Sequence, residues 1–366
     1  MDRGACVKAI GLMSGTSLDA IDAALIETDG EGQVRSLGFV AIEWSAEDRD
    51  LLMAATERAL AMPAPGADPL IDRAEARVGK AHAEAVAALL RETGADDAAI
   101  IGFHGQTIAH RPDRGWTWQL GDGAALAAAT GIDVVADFRS ADVAAGGQGA
   151  PLLPVYHRAL VAGQAGPVAV LNLGGVANVT YIDGDTLIAF DTGPANGLID
   201  SWVGETRGAR FDEGGALAAA GRVDEAVLTA MLDHPYFDMA PPKSLDRNDF
   251  TVQPARGLAE ADGAATLTAF TAQTVAEGLR LLPARPARLI VAGGGRHNPT
   301  LMAMIAERTA LTPESADTLG WNGDALEAEG FAYMAVRALK GLPISFPGTT
   351  GAPAPMTGGV VHRARA

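Results

Sequence analysis

Residues 7–28 read VKAIGLMSGTSLDAIDAALIET. The apolar run at 7–12 predicts a strand, MSGTS at 13–17 turns the chain, and the partly alternating LDAIDAALIET at 18–28 predicts a returning strand, so the stretch reads as a β-hairpin. The same pattern restarts at 168–182, VAVLNLGGVANVTYI, as strand, Gly-Gly turn and strand, and TLIAFDTGPAN at 186–196 adds a further strand ending in a polar loop. A glycine turn carrying Ser, Thr or Asn between two strands occurs in both places, which suggests an internal duplication with halves meeting near 160–168. Outward from these hairpins, strands are expected at 34–42, 98–112, 132–138 and 287–295, and helices at 46–61, 70–92, 121–130, 262–282 and 322–340. A polar glycine loop is expected at 139–152, an irregular polar stretch at 234–250, and a Pro/Gly-rich tail at the end. Strands alternating with helices indicate an α/β protein with mixed sheets.

The chain has 366 residues, which suggests two domains at roughly 150 residues each. The expected division is 1–165 and 166–366. A formal net charge of −17 repels the phosphates of nucleic acid and disfavours a DNA or RNA partner. It does not exclude a nucleotide, since a local loop can cradle phosphate inside an acidic protein. One cysteine, Cys6, rules out an intrachain disulfide and a cysteine-based zinc site, and fits a reducing compartment. No signal peptide and no membrane-spanning helix are expected, because no apolar run reaches about 18 residues.

Six clusters carry candidate chemistry. Around Gly11, Ser14, Gly15, Thr16, Ser17, Asp19 and Asp22, small residues let backbone N–H groups face an anion, and the hydroxyls add donors. Two carboxylates there could hold Mg²⁺ through water. The stretch is neither a lysine-bearing P-loop nor GxGxxG, and an ordinary hairpin turn has the same composition. Asn172 and Asn178 flank Gly174 and Gly175 inside apolar strands, so they serve a polar ligand or their own turn. Asp191 ends an apolar strand, where it suits a general base, a Mg²⁺ partner or the cap of the next helix. His104, Gln106, Thr107, Arg139 and Asp142 supply groups that bind sugar hydroxyls, and Arg139 could hold a carboxylate bidentately. His104 reads rather as a satisfied structural histidine, and with His110 it lacks a third ligand for zinc. Gly293, Gly294 and Gly295 follow a strand, which suits close approach to adenosine or simply a tight turn. Glu327 lies early in a helix, where the dipole favours a carboxylate, though a solvated surface glutamate would look the same.

Taken in order, GLMSGTSLDAID (11–22), GFHGQT (102–107), QLGDG (119–123), DFRSADVAAGGQGAPL (137–152), LNLGGVANV (171–179), FDTGPAN (190–196), KSLDRNDF (243–250), AGGGRHN (292–298), GWNGDALEAEGFA (320–332) and TGAPAPMTGG (350–359) resemble the anhydro-N-acetylmuramic acid kinase family across nearly the whole chain. The resemblance implies the sugar kinase, heat-shock-70 and actin fold, with two ribonuclease-H-like lobes and ATP in a cleft. It implies a cytoplasmic, homodimeric bacterial enzyme of cell-wall recycling that uses ATP and Mg²⁺ and acts on 1,6-anhydro-N-acetylmuramic acid, giving ADP and N-acetylmuramic acid 6-phosphate. By the same resemblance Asp191 is the base that activates water, and Glu327 is a second carboxylate near the sugar. Gln106, Thr107 and Arg139 face the sugar. Gly15, Thr16, Ser17, Leu18, Asp19, Ala20, Ile21 and Asp22, with Asn172, Gly174, Gly175, Gly293, Gly294 and Gly295, face ATP. Most kinases of the wider fold carry an Asp two residues before the first loop glycine; Met13 stands there in this chain, and the metal ligands stay unassigned. A kinase for a related anhydro sugar such as levoglucosan, and a non-catalytic ATP-binding regulator, are the alternatives.

Overall fold

A computed structural model describes residues 4–245 and 249–364; Asp246, Arg247 and Asn248 of the KSLDRNDF motif lie outside the described residues. The chain opens with β1 (Val7–Ser14), β2 (Ala20–Thr28) and β3 (Val34–Glu43), followed by helices α1 (Ala46–Leu60) and α2 (Pro69–Thr93). Then come β4 (Ile100–Arg111), β5 (Trp116–Leu120), α3 (Gly123–Thr130), β6 (Val134–Ala136), α4 (Ser140–Ala144) and α5 (Pro154–Leu160). A second run holds β7 (Val168–Leu173), β8 (Val176–Asp183), β9 (Thr186–Pro194), α6 (Asn196–Arg207), α7 (Ala216–Ala220), α8 (Glu225–Leu232) and α9 (Glu260–Arg280). It continues through β10 (Arg288–Ala292), α10 (Pro299–Thr309) and β11 (Pro313–Ser315), and the chain finishes with α11 (Leu326–Leu339), α12 (Pro347–Thr350) and β12 (Val360–His362).

Local chemistry accounts for the helix limits. Asp68 caps α2 by accepting from Leu70 N–H, Pro69 occupies its first turn, and Gly94 ends it in the left-handed conformation. Ser45 starts α1 and Asn298 starts α10 through side-chain bonds to the first free N–H groups.

Two compact units result, one of residues 1–162 with 325–366 and one of 163–324. The first sheet runs β12-β6-β4-β1-β2-β3, with β5 paired to β4; the second runs β11-β10-β7-β8-β9. In each, three antiparallel strands (β1-β2-β3 and β7-β8-β9) are extended by strands parallel to the first of them. That shared order is the ribonuclease-H-like arrangement, and it bears out the α/β class and both hairpins. In the first unit, β1, β2 and β4 bury Ile10, Leu12, Ile21, Leu25, Ile101 and Phe103 against Leu52, Val78 and Leu89 of α1 and α2. In the second, Leu171, Val179, Phe190 and Val291 pack against Ala272 and Val275 of α9 and Ile305 of α10.

The expected division at 166–366 fails at its far end. α11 belongs to the first unit, and glycine explains why. A Cβ on Gly11 would lie 1.7 Å from the Ala328 carbonyl oxygen, and one on Gly102 would lie 2.0 Å from that of Phe331. The bare backbone of β1 and β4 therefore admits the helix backbone of α11 in direct contact. Gly11, read from sequence with the anion loop, is a docking point for a helix. The tail also contributes β12, which pairs antiparallel with β6. Among the described residues, no helix is long and apolar enough to cross a membrane.

Candidate active site

In both units the candidate residues gather at the carboxyl ends of the parallel strands, where side chains and loop backbone converge above a sheet edge. In the first unit, β1 ends at Ser14 and runs into the loop of Gly15–Asp19. Leu18 N–H donates to Gly15 O at 3.2 Å, and Leu18 takes a left-handed φ of 55° with its side chain buried in the core. Asp19 braces the turn by accepting from Ser17 Oγ at 2.7 Å and from Ala20 N–H at 3.0 Å. Thr16, Ser17 and Asp19 are exposed, while Leu18 and Ile21 point inward, so these two can offer a ligand only their main chain. Asp22 lies within β2, opposite Met13.

The polar residues of β4 and of the 139–152 loop are largely self-satisfied. Gln106 is buried; its Oε1 accepts from Ser14 Oγ at 2.7 Å and its Nε2 donates to Gly15 O at 3.2 Å. Its amide thereby holds the loop that follows β1. Thr107 is half-buried and accepts from Gln119 Nε2 at 3.1 Å. Asp142, also a sugar candidate from sequence, is buried and accepts from Gly149 N–H, Ser345 Oγ and Thr350 Oγ1, tying the 139–152 loop to the turn at α12.

Arg139 follows β6. Its Nε donates to His104 Nε2 at 3.0 Å and its Nη1 to Gly149 O at 2.6 Å. His104 Nδ1 is within 2.9 Å of Gly105 O, so the ring is held neutral with Nδ1 protonated, and burial pushes its pKa well below the ordinary value. It is the structural histidine its sequence context suggested. Burial lowers the Arg139 guanidinium to about 10, against the opposing pull of Glu327 and Asp142. Glu327, in the first turn of α11, completes this cluster. Burial raises its carboxyl, Arg139 opposes that, and Asp19 adds to it. Glu327, Arg139 and Asp19 thus share one electrostatic neighbourhood, and Glu327 is no solvated surface glutamate.

In the second unit, Asn172, Asn178 and Asp191 are direct neighbours across β7, β8 and β9. Cross-strand partners project from one face, so these three residues form a polar row. Gly174 and Gly175 form the turn at its end, where their carbonyls accept from Asn196 and Ala195 N–H at 2.9 and 3.0 Å. At the end of β10, a Cβ on Gly293 would come 2.5 Å from Asn172 Oδ1, so that glycine is required by the β7 edge itself. Gly295 is buried, and Gly294 is the exposed member of the three.

Asp191 sits at the site's most unusual position. Its N–H donates to Lys243 O at 3.0 Å, its carbonyl accepts from Tyr236 Oη at 2.6 Å, and Oδ2 accepts from Leu245 N–H at 2.8 Å. Burial pushes its carboxyl up to about 7, against the opposing Leu245 N–H. It keeps some accessible surface, so the group is within reach of a solute. The helix-cap alternative fails, since no side chain caps α6. Tyr236 and Lys243, which sequence reasoning missed, hold each other: Lys243 Nζ donates to Tyr236 O at 3.0 Å and lies 4.5 Å from the centre of its ring. Their only advance signal was position inside the irregular stretch ending in KSLDRNDF. Among the described residues, no group of three or more His, Cys, Asp or Glu side chains is arranged to hold a metal ion.

Two ribonuclease-H-like units, each with small-residue turns and polar side chains at the carboxyl edge of its sheet, define the class of this α/β protein. A sequence profile described as anhydro-N-acetylmuramic acid kinase matches residues 7–364. A protein of that name from Rhizorhabdus wittichii is 67% identical over 97% of this chain and 98% of its own length. Those of Zymomonas mobilis and Nitrobacter winogradskyi are 55% and 53% identical, each over 97% of this chain and 99% of their own. The chain belongs to the anhydro-N-acetylmuramic acid kinase family.

Proposed function

We propose that this member of the family opens 1,6-anhydro-N-acetylmuramic acid with water and phosphorylates it at O6 with ATP. The observation that carries the reading is Asp191, whose carboxyl is raised to about 7 at a strand end. A base with that pKa is ionised often enough near neutrality to accept a proton, and is basic enough to pull it from water. The anhydro sugar has no free 6-hydroxyl. Water attacks C1, a C1–oxygen bond forms and the C1–O6 bond breaks, and Asp191 takes the water's proton. O6 then bonds to the γ-phosphorus as the bond to ADP breaks. Asp191 loses its proton to solvent before the next turnover.

The loop Thr16–Asp19, exposed at Thr16, Ser17 and Asp19, and the turn at Gly174 and Gly175 are assigned to the phosphates, with Gly294 beside the adenosine. Mg²⁺, which is held chiefly by phosphate and water oxygens, would neutralise charge on the transferring group, and Asp19 is the exposed carboxylate available to it. Arg139 and Glu327 are assigned to the sugar, Arg139 to its lactyl carboxylate. Homodimerisation and cytoplasmic residence complete the reading, and their support is family membership.

Turnover of the anhydro sugar with Mg-ATP in ¹⁸O-water tests it, with the product analysed by mass. One ¹⁸O at C1 and a phosphate at O6 are expected. Unlabelled product would sink the hydrolytic step, and equal turnover with levoglucosan would remove the lactyl group from recognition. Asp191→Asn is expected to keep ATP binding and lose phosphorylation by at least about a hundredfold.

A further inference from the structure

β4 carries one residue more than β1 where the two part: Leu12 faces Phe103, and Ser14 faces Gln106. The extra residue makes a bulge at His104 and Gly105, and Gly105 takes a left-handed φ of 75°. A Cβ there would lie 2.2 Å from the Leu120 carbonyl oxygen, so the bulge needs glycine. Its effect is to bring Gln106, which is 1% exposed, opposite Ser14.

Every polar atom of the Gln106 amide is used. Oε1 accepts from Ser14 Oγ at 2.7 Å, and Nε2 donates to Gly15 O at 3.2 Å and to Thr107 O at 3.3 Å. Turning the amide over would set Oε1 against two carbonyl oxygens, which only accept, so its orientation is fixed. Gly15 O also accepts from Leu18 N–H at 3.2 Å, so both its lone pairs are taken and it is held on the buried side. A trans peptide unit is planar, with its C=O and N–H pointing in opposite directions. Holding the Gly15 carbonyl inward therefore aims the Thr16 N–H outward, to the side on which Thr16 and Ser17 are exposed. Sterics alone would not do this. A Cβ on Gly15 would meet nothing nearer than Ser17 Oγ at 3.4 Å, and a glycine peptide turns easily.

We propose that Gln106 is a positioning residue: through the Gly15 carbonyl it presents the Thr16 N–H as a donor to a phosphate oxygen of ATP. The proposal rests on the assignment of the Thr16–Asp19 loop to the phosphates. The donor is oriented before the nucleotide arrives, so binding does not bear the cost of ordering it.

Variants of the full chain test this. Gln106→Met keeps the length of the side chain and removes its hydrogen bonds. It is expected to raise KM for ATP about tenfold while KM for the anhydro sugar stays within about twofold. Ser14→Ala removes one bond and leaves the amide in place, and should raise KM for ATP about threefold. The double variant should bind ATP no worse than Gln106→Met, since both act through one amide. Unchanged KM for ATP in the single variants would overturn the proposal. So would a rise in KM for the sugar instead, which would make Gln106 a sugar contact. The Thr16 amide resonance gives a readout apart from turnover. In wild type it should shift on titration with Mg-ATP, and Gln106→Met should need about ten times more nucleotide for the same shift. Equal titrations in the two proteins overturn the proposal. A Thr16 amide that ATP leaves unmoved in wild type overturns it too, together with the phosphate assignment of the loop; sugar-dependent ADP release by the same protein would leave the kinase reading standing.

Discussion

Asp191 carries consequences in two directions. In the proposed role of base it works only when ionised, so kcat/KM is expected to rise with pH through a limb near 7, and pH-rate profiles check this. The same shift affects stability. Between the ordinary value of 3.8 and about 7, the folded chain holds a proton there that the unfolded chain has released. Stability therefore falls as pH rises through that window. Asp191→Asn removes the dependence, so the variant's denaturation midpoint should exceed that of wild type above pH 7 and approach it below pH 4. A variant less stable than wild type at pH 8 would contradict the buried-carboxyl account. Asp191 was legible in sequence because a carboxylate terminates a run of five strand-forming residues, TLIAF. Tyr236 and Lys243 were not, because an irregular segment has no period to say which side chains turn inward. Gln106 was noticed for its polarity, but polarity alone does not tell a ligand contact from a bond to the neighbouring loop.

Among elements, α11 is the one on which most depends. It brings Glu327 to the first unit's site and lies on β1 and β4 through Gly11 and Gly102. Gly11→Ala places a methyl against the Ala328 carbonyl and should cost about 1–3 kcal/mol or more, read as a lower urea midpoint. Because the displaced helix carries Glu327, turnover should fall beyond what the lost stability explains; unchanged kcat would separate the helix seat from the site. Both hairpins were legible because strand patterning and a glycine turn agree. The short β12, Val360–His362, was not: three residues give no period, and its partner β6 lies more than two hundred residues earlier. The seat of α11 left a sequence signal, the two glycines within apolar strands, but glycine beside Ser and Thr reads as readily as an anion loop.

For the whole molecule, the second unit is an insertion within the first: the chain leaves the first unit at 162 and re-enters it at 325. The boundary near 165 was readable from the restart of the hairpin pattern, while the return at 325 was not, since nothing local marks a helix as belonging to a distant sheet. Residues 163–324 expressed alone are expected to give a protease-resistant fragment with one cooperative thermal transition. Residues 1–165 are expected to give neither, because removing α11 and β12 uncovers β1, β4 and β6. A cooperative melt from 1–165 would show that α11 is not needed to hold the first sheet.

The interrupted first unit also sets an order of events at the ribosome. Its opening strands are synthesised first, yet the helix that covers them emerges only after all of 163–324 has been made. Domains generally fold as they become complete, so the inserted unit should reach its native state while the earlier strands still wait. Over that interval the face of β1 and β4 that will receive α11 is open to chaperones and to other nascent chains, and it closes only once translation passes α11.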